Sequence, residues 1–143
     1  MLELKQIGKS FDGVPVLKDI SIRVEDGEIV SILGLSGCGK TTLLNIILGI
    51  LDADAGQILY NGEDLTRTPM EKRGFNIVFQ DYALFPNLNV RQNITYGLRN
   101  KPGISTEAEV QDMISLLGLG DHLNKRMDQL SGGQKQGVAL AGT

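Results

Sequence analysis

Apolar and polar residues alternate along Ile20, Ser21, Ile22, Arg23, Val24 and Glu25, a period of two that predicts a half-buried strand. Asp12-Gly13 and Asp26-Gly27 bracket this region with turn signals. The next run, Ile29-Val30-Ser31-Ile32-Leu33, is almost continuously apolar, which suits a strand covered on both faces in a parallel sheet. A glycine-rich loop follows, and then a helical stretch over Lys40–Leu48. Two more strands are expected at 57–60 and 76–79. After them the periodicity changes. Thr106-Glu107-Ala108-Glu109 has capping-box spacing, and Val110, Met113, Ile114 and Leu117 then recur at the i, i+3, i+4 and i+7 positions of a helix face. Gly118 is placed to end that helix. A strand–loop–helix front with helices gathered behind it predicts an α/β architecture.

Composition changes this picture in a few places. The chain of 143 residues has one domain's length, with 41% apolar and 22% charged residues, as in ordinary globular proteins. Its 18 glycines are well above the usual share and point to tight turns and backbone brought close to a ligand. A net charge of −3 gives no general attraction to nucleic acid, so none is expected as a partner. The single cysteine, Cys38, excludes a disulfide within the chain. Glu3 and Lys5 interrupt the apolar residues at the N-terminus, so no signal-peptide pattern is expected. The longest apolar stretch, 43–51, contains Asn45 and Gly49 and stops at Asp52, short of the roughly 18–20 residues that span a bilayer. Any membrane role is expected to be peripheral.

The chemistry begins at Gly34-Leu35-Ser36-Gly37-Cys38-Gly39-Lys40-Thr41, which fits G-x-x-x-x-G-K-[ST] at every required position. Glycines let the backbone curl until several N–H groups point inward as a nest for phosphate oxygens. The helix starting near Lys40 adds the positive end of its dipole. In such a loop Lys40 reaches the β- and γ-phosphates, the Thr41 hydroxyl ligates Mg²⁺, and Thr42 continues the phosphate contacts. Cys38 stands at a variable position. A phosphate loop alone leaves kinases, GTPases, ATPases and transporters open.

A second motif separates these classes. Leu130-Ser131-Gly132-Gly133-Gln134 resembles the signature of the ABC-transporter ATPases and lies at the expected distance behind the phosphate loop. Ser131 can cap the following helix, and the N–H groups of Gly132 and Gly133 can hold a γ-phosphate. Other residues extend the resemblance. Phe11 sits where that family places an aromatic against adenine, and Val16 where a residue packs on the same base. Gln80 matches the glutamine that in the family contacts Mg²⁺ and the attacking water. The segment 82–86 and Asn89-Val90-Arg91-Gln92-Asn93-Ile94 are similar to importers of polyamines, iron, oxyanions, phosphonates or sugars.

The resemblance covers essentially all of the chain and implies a phosphate-loop NTPase of ABC type. It implies an antiparallel β region, a parallel-sheet core present in part, and a helical signature subdomain. One nucleotide-binding domain over 1–143 is expected, with the core at about 1–80 and the helical region at 81–143. Lys40 and Gln80 would act in catalysis, and Thr41 and Gln80 on the metal. Phe11, Val16, residues 34–42 and Ser131–Gly132–Gly133–Gln134 would bind ATP. Two such subunits would pair head to tail beside transmembrane permease subunits, on the cytoplasmic side of the cell membrane.

The sequence also departs from that pattern. It reaches Thr143 about where the family's Walker B strand would begin, so its Asp and Glu and the later switch His are not among these residues. His122 stands too early to be that His and is expected to be an exposed residue between helices. These residues alone are therefore expected to bind nucleotide weakly, to hydrolyse it poorly, and to expose the 29–33 strand. Gly137 and Gly142 occupy positions where the family carries arginine, and glycine inside a helix costs about 1 kcal/mol relative to alanine. Two other readings remain. One is a non-catalytic nucleotide-binding module; the other is a different phosphate-loop enzyme, such as a kinase, with Asp81 as its Mg²⁺ acid.

Overall fold

The computed structural model describes residues 1–143, which divide into two compact units, Met1–Phe75 and Asn76–Thr143. The first is built on an antiparallel hairpin of β1 (Leu2–Phe11) and β2 (Val14–Val24). Asp12 and Gly13 join them with φ of 49° and 78°, the left-handed pair of a type I′ turn, whose twist matches that of the strands. β3 (Ala55–Tyr60) pairs with the other edge of β1, and the two-residue β4 (Glu63–Asp64) pairs with β3, giving the order β2-β1-β3-β4. Between them Asn61-Gly62 repeats the same turn geometry, at 49° and 83°.

The alternation expected over Ile20, Ile22 and Val24 is present: these three are half-buried while Ser21 and Arg23 face out. α1 (Lys40–Leu48) lays Leu43 and Ile46 into a core with Leu4, Ile7, Leu17, Ile58 and Leu65. The 57–60 strand falls within β3. Residues 29–33 and 76–79, expected as strands of a parallel sheet, are irregular instead, and the only sheet is antiparallel. A strand flanked by helices needs hydrogen-bonding neighbours on both edges, and neither segment has one. Ile29 and Leu33 accordingly stand 93% and 91% exposed.

The second unit is helical: α2 (Val90–Ile94), α3 (Tyr96–Asn100), α4 (Glu107–Leu116) and α5 (Gly132–Ala141). Capping boxes open three of them, Asn89 with Gln92, Thr106 with Glu109, and Ser131 with Gln134. Each satisfies two N–H groups that a helix start leaves open. Gly118 ends α4 as expected: at φ 65° it donates to Ser115, and Leu119 donates back to Ile114. Val90, Ile94, Val110, Ile114, Leu119, Met127, Leu130 and Val138 form this unit's core. Met113, placed on the same face by its spacing, is 38% exposed. No helix is long and apolar enough to cross a membrane.

Candidate nucleotide-phosphate site

Residues 34–41 form the loop that leads into α1. Gly37 and Gly39 take φ of 80° and 97°, which L-residues with side chains rarely adopt. At Gly39 space is short as well: a Cβ there would lie 3.0 Å from Val16 Cγ1 and 3.2 Å from the Val16 carbonyl oxygen. Val16, half-buried on β2, thus seats the end of the loop. Leu35, Ser36, Cys38 and Thr41 are exposed, and Thr42 is half-buried.

The start of α1 has no side-chain cap and no acidic residue in its first turn. Its first internal hydrogen bond runs from Leu43 N–H to the Gly39 carbonyl at 2.9 Å. A helix start leaves its leading N–H groups open, with the dipole's positive end behind them, and this favours an anion. Lys40 folds back over the loop, donating to the carbonyls of Gly34 and Leu35 at 2.7 Å each, with Nζ 3.5 Å from Cys38 Sγ. Phosphate oxygens are stronger acceptors for an ammonium than neutral carbonyls. The geometry therefore suits exchange of those two contacts for an anion.

The far end of α1 is held by a residue that the sequence reading did not single out. Buried Arg73 donates through Nη1 to the carbonyls of Ile46 and Ile47, both at 2.9 Å. Its Nε donates to Thr68 at 2.7 Å and its Nη2 to Thr66 at 3.2 Å, also carbonyls. A cation at a helix C-terminus complements the dipole. Burial lowers the guanidinium pKa, and nearby Asp52 opposes that effect. No periodic pattern marks an isolated arginine as buried, so this anchor was not legible.

Phe11 closes β1, is 43% exposed and is no core residue. Lys9 Nζ stands 5.4 Å from the ring centroid and is tied to Asp54 at 2.9 Å. Asp54 also accepts from the Ser10 N–H, and these bonds, that to Lys9 first, hold its carboxyl below the usual range.

In the second unit Gln80 and Asp81 are exposed in a turn closed by Tyr82 N–H to the Phe79 carbonyl at 3.0 Å. Ser131 and Gln134 form the reciprocal box that starts α5. Ser131 N–H donates to Gln134 Oε1 at 3.0 Å, and Gln134 N–H donates to Ser131 Oγ at 3.3 Å. Gly132 and Gly133 are exposed in the helix's first turn.

Two expectations change here, and a third residue gains a role. His122 is not an exposed histidine: it is half-buried, with Nε2 3.3 Å from Gln134 Nε2, because the turn Gly120–His122 folds against α5. Gly137 lies inside α5, whereas Gly142 is its C-cap, so the helix-interior cost applies to Gly137 alone. Asn93, earlier only part of a motif, is buried and fixes the chain before α2. Its Oδ1 accepts from Phe85 N–H at 2.9 Å, and its Nδ2 donates to the carbonyls of Phe85, Leu88 and Asn89.

A glycine loop seated against a β-hairpin and opening an uncapped helix defines a phosphate-loop nucleotide-binding protein. The family described as "ABC transporter" matches residues 17–143, and the chain belongs to it. The chain is 50% identical over 144 residues to the spermidine/putrescine import ATP-binding protein PotA of Spiroplasma citri, covering 99% of this chain and 41% of that protein. It therefore spans about two-fifths of the length of the curated relatives it matches. Among solved structures, cbiO1 of Clostridium perfringens, part of the ABC transporter complex cbiONQ, superposes with a TM-score of 0.86 at 32% identity. That match covers 99% of this chain and 59% of cbiO1. An ATP-binding cassette solved as a dimer in a post-hydrolysis state, bound to ADP and Pi, gives 0.80 at 30% identity, covering 99% of this chain and 68% of that one. The mixed α/β fold expected from the sequence is thus the ABC ATPase fold. With family membership, the reading of Asp81 as the acid of another class of phosphate-loop enzyme falls.

Proposed function

We propose that these residues are the nucleotide-binding part of an ATPase subunit that powers solute import, with polyamines as the cargo class. The observation that carries the reading is the uncapped start of α1 beneath a glycine loop whose lysine rests on two neutral carbonyls. The name of the Spiroplasma relative supports polyamine cargo. Residues 1–143 act as one nucleotide-binding domain, with the core at about 1–80 and the helical signature region at 81–143. Phe11 and Val16 meet the base, residues 34–42 hold the phosphates, and Ser131, Gly132, Gly133 and Gln134 meet nucleotide held by a second subunit.

Mg²⁺ fits this arrangement as a companion of the phosphates. The chain groups no three His, Cys, Asp or Glu side chains around a metal position, and Mg²⁺ commonly draws much of its coordination from substrate phosphates and water. The Thr41 hydroxyl would hold the ion, which supplies charge neutralisation of the phosphates. ATP hydrolysis, the head-to-tail pairing of subunits, the permease partners and residence on the cytoplasmic face of the membrane belong to the whole protein.

Titration of nucleotide against the wild-type chain and Lys40→Ala tests the reading. Loss of one charge-assisted contact corresponds to about 1.5–3 kcal/mol, or roughly 10- to 100-fold weaker ATP binding. Equal affinities would remove Lys40 from the site.

A further inference from the structure

Gln134 connects two polar contacts, and the second has no role in the scheme above. Its Oε1 accepts from the Ser131 N–H at 3.0 Å, which fixes the orientation of the side-chain amide. The NH₂ end then faces His122 Nε2 at 3.3 Å. An amide NH₂ can only donate, so this contact requires His122 Nε2 as the acceptor, which puts the ring proton on Nδ1. Nδ1 is buried and has no partner, so this tautomer leaves a donor unsatisfied. The other tautomer would set two donors against each other across the Gln134 contact. Turning the amide to relieve that clash would point NH₂ at the Ser131 N–H and open the capping box. The ring tautomer and the cap are therefore one arrangement.

We infer that His122 is a positioning residue for the Ser131–Gln134 loop, acting through the Gln134 amide to hold the first turn of α5 in its capped geometry. The inference rests on the proposed role of that loop in meeting nucleotide, and its test separates the two. Two variants of the full chain serve: His122→Leu removes the acceptor, and His122→Gln returns an amide oxygen near the place of Nε2. Three readouts apply: the ¹⁵N spectrum of the His122 ring, hydrogen exchange at the Ser131 amide, and ATP-dependent self-association.

The expected result is a proton on Nδ1, Ser131 exchange about fivefold faster in His122→Leu, and return toward the wild-type rate in His122→Gln. A proton on Nε2, or unchanged Ser131 exchange in His122→Leu, overturns the inference. If His122→Leu does not fold, the ring tautomer and the His122→Gln exchange rate decide. Faster Ser131 exchange with ATP-dependent association unchanged upholds the positioning role and removes the loop from the nucleotide site.

Discussion

Arg73 and Asp54 show how single side chains set the surroundings of the phosphate loop. Arg73 meets four backbone carbonyls, two of them at the end of α1. Arg73→Met keeps much of the apolar stem but removes the guanidinium from a buried place; the Ile46 carbonyl keeps the Gly49 N–H, while those of Ile47, Thr66 and Thr68 lose their donor. The expected loss is about 2–4 kcal/mol, read as a lower urea midpoint. Asp54 is governed by pH. Its folded-state pKa is depressed, so the unfolded chain takes up the proton more readily. Stability from the Lys9 and Ser10 contacts is therefore complete above the ordinary carboxylate pKa of about 4 and is lost as pH falls through the lower folded value. Asp54→Asn is expected to lack that part of the acid response. Midpoints compared at about pH 7 and about pH 3 check this, because the wild-type drop must exceed the variant's.

At the scale of elements, α5 carries a glycine where the fold does not require one. A Cβ added at Gly137 would lie 3.7 Å from Leu119 Cδ2, an ordinary van der Waals distance, with helical backbone on either side. Gly137→Ala is expected to raise stability by about 1 kcal/mol, measurable as a higher denaturation midpoint. This helix also shows what was legible beforehand. Its start followed from Ser131 as a capping residue, that of α4 from the capping-box spacing of Thr106 and Glu109, and the turn after β1 from the Asp12-Gly13 pair. These signals are local, and the side chains involved satisfy one another. The loop ahead of α1 was equally clear, because its glycines and Lys40 act on backbone a few residues away. Segments 29–33 and 76–79 read as strands because their apolar runs suit one, but a strand exists only where another supplies its hydrogen bonds. Arg73, Asn93 and His122 were missed for a related reason. Each is defined by partners distant in sequence or by the closing of a loop, and nothing in its neighbours' pattern announces them.

For the molecule as a whole, the exposed apolar segment and the small net charge act together. Ile29, Leu33 and Leu35 are 93%, 91% and 86% exposed, and Val30 is 43% exposed, all within seven consecutive residues. Clustered apolar exposure of this kind favours association, and the irregular backbone there leaves N–H and C=O groups open to another chain's edge. Charge repulsion is the opposing force, and a net charge of −3 with a pI near 5.1 makes it weak at neutral pH and nil near the isoelectric point. The 143-residue chain is therefore expected to self-associate increasingly as pH falls from about 8 toward about 5. The double variant Ile29→Ser, Leu33→Ser keeps the net charge while removing the two most exposed apolar side chains of the segment. Light scattering across that range should show less association for the variant at each pH, with the same pH trend in both proteins. Equal scattering would place the sticky surface elsewhere, and a variant that lost its pH trend would mean that charge was not the opposing force.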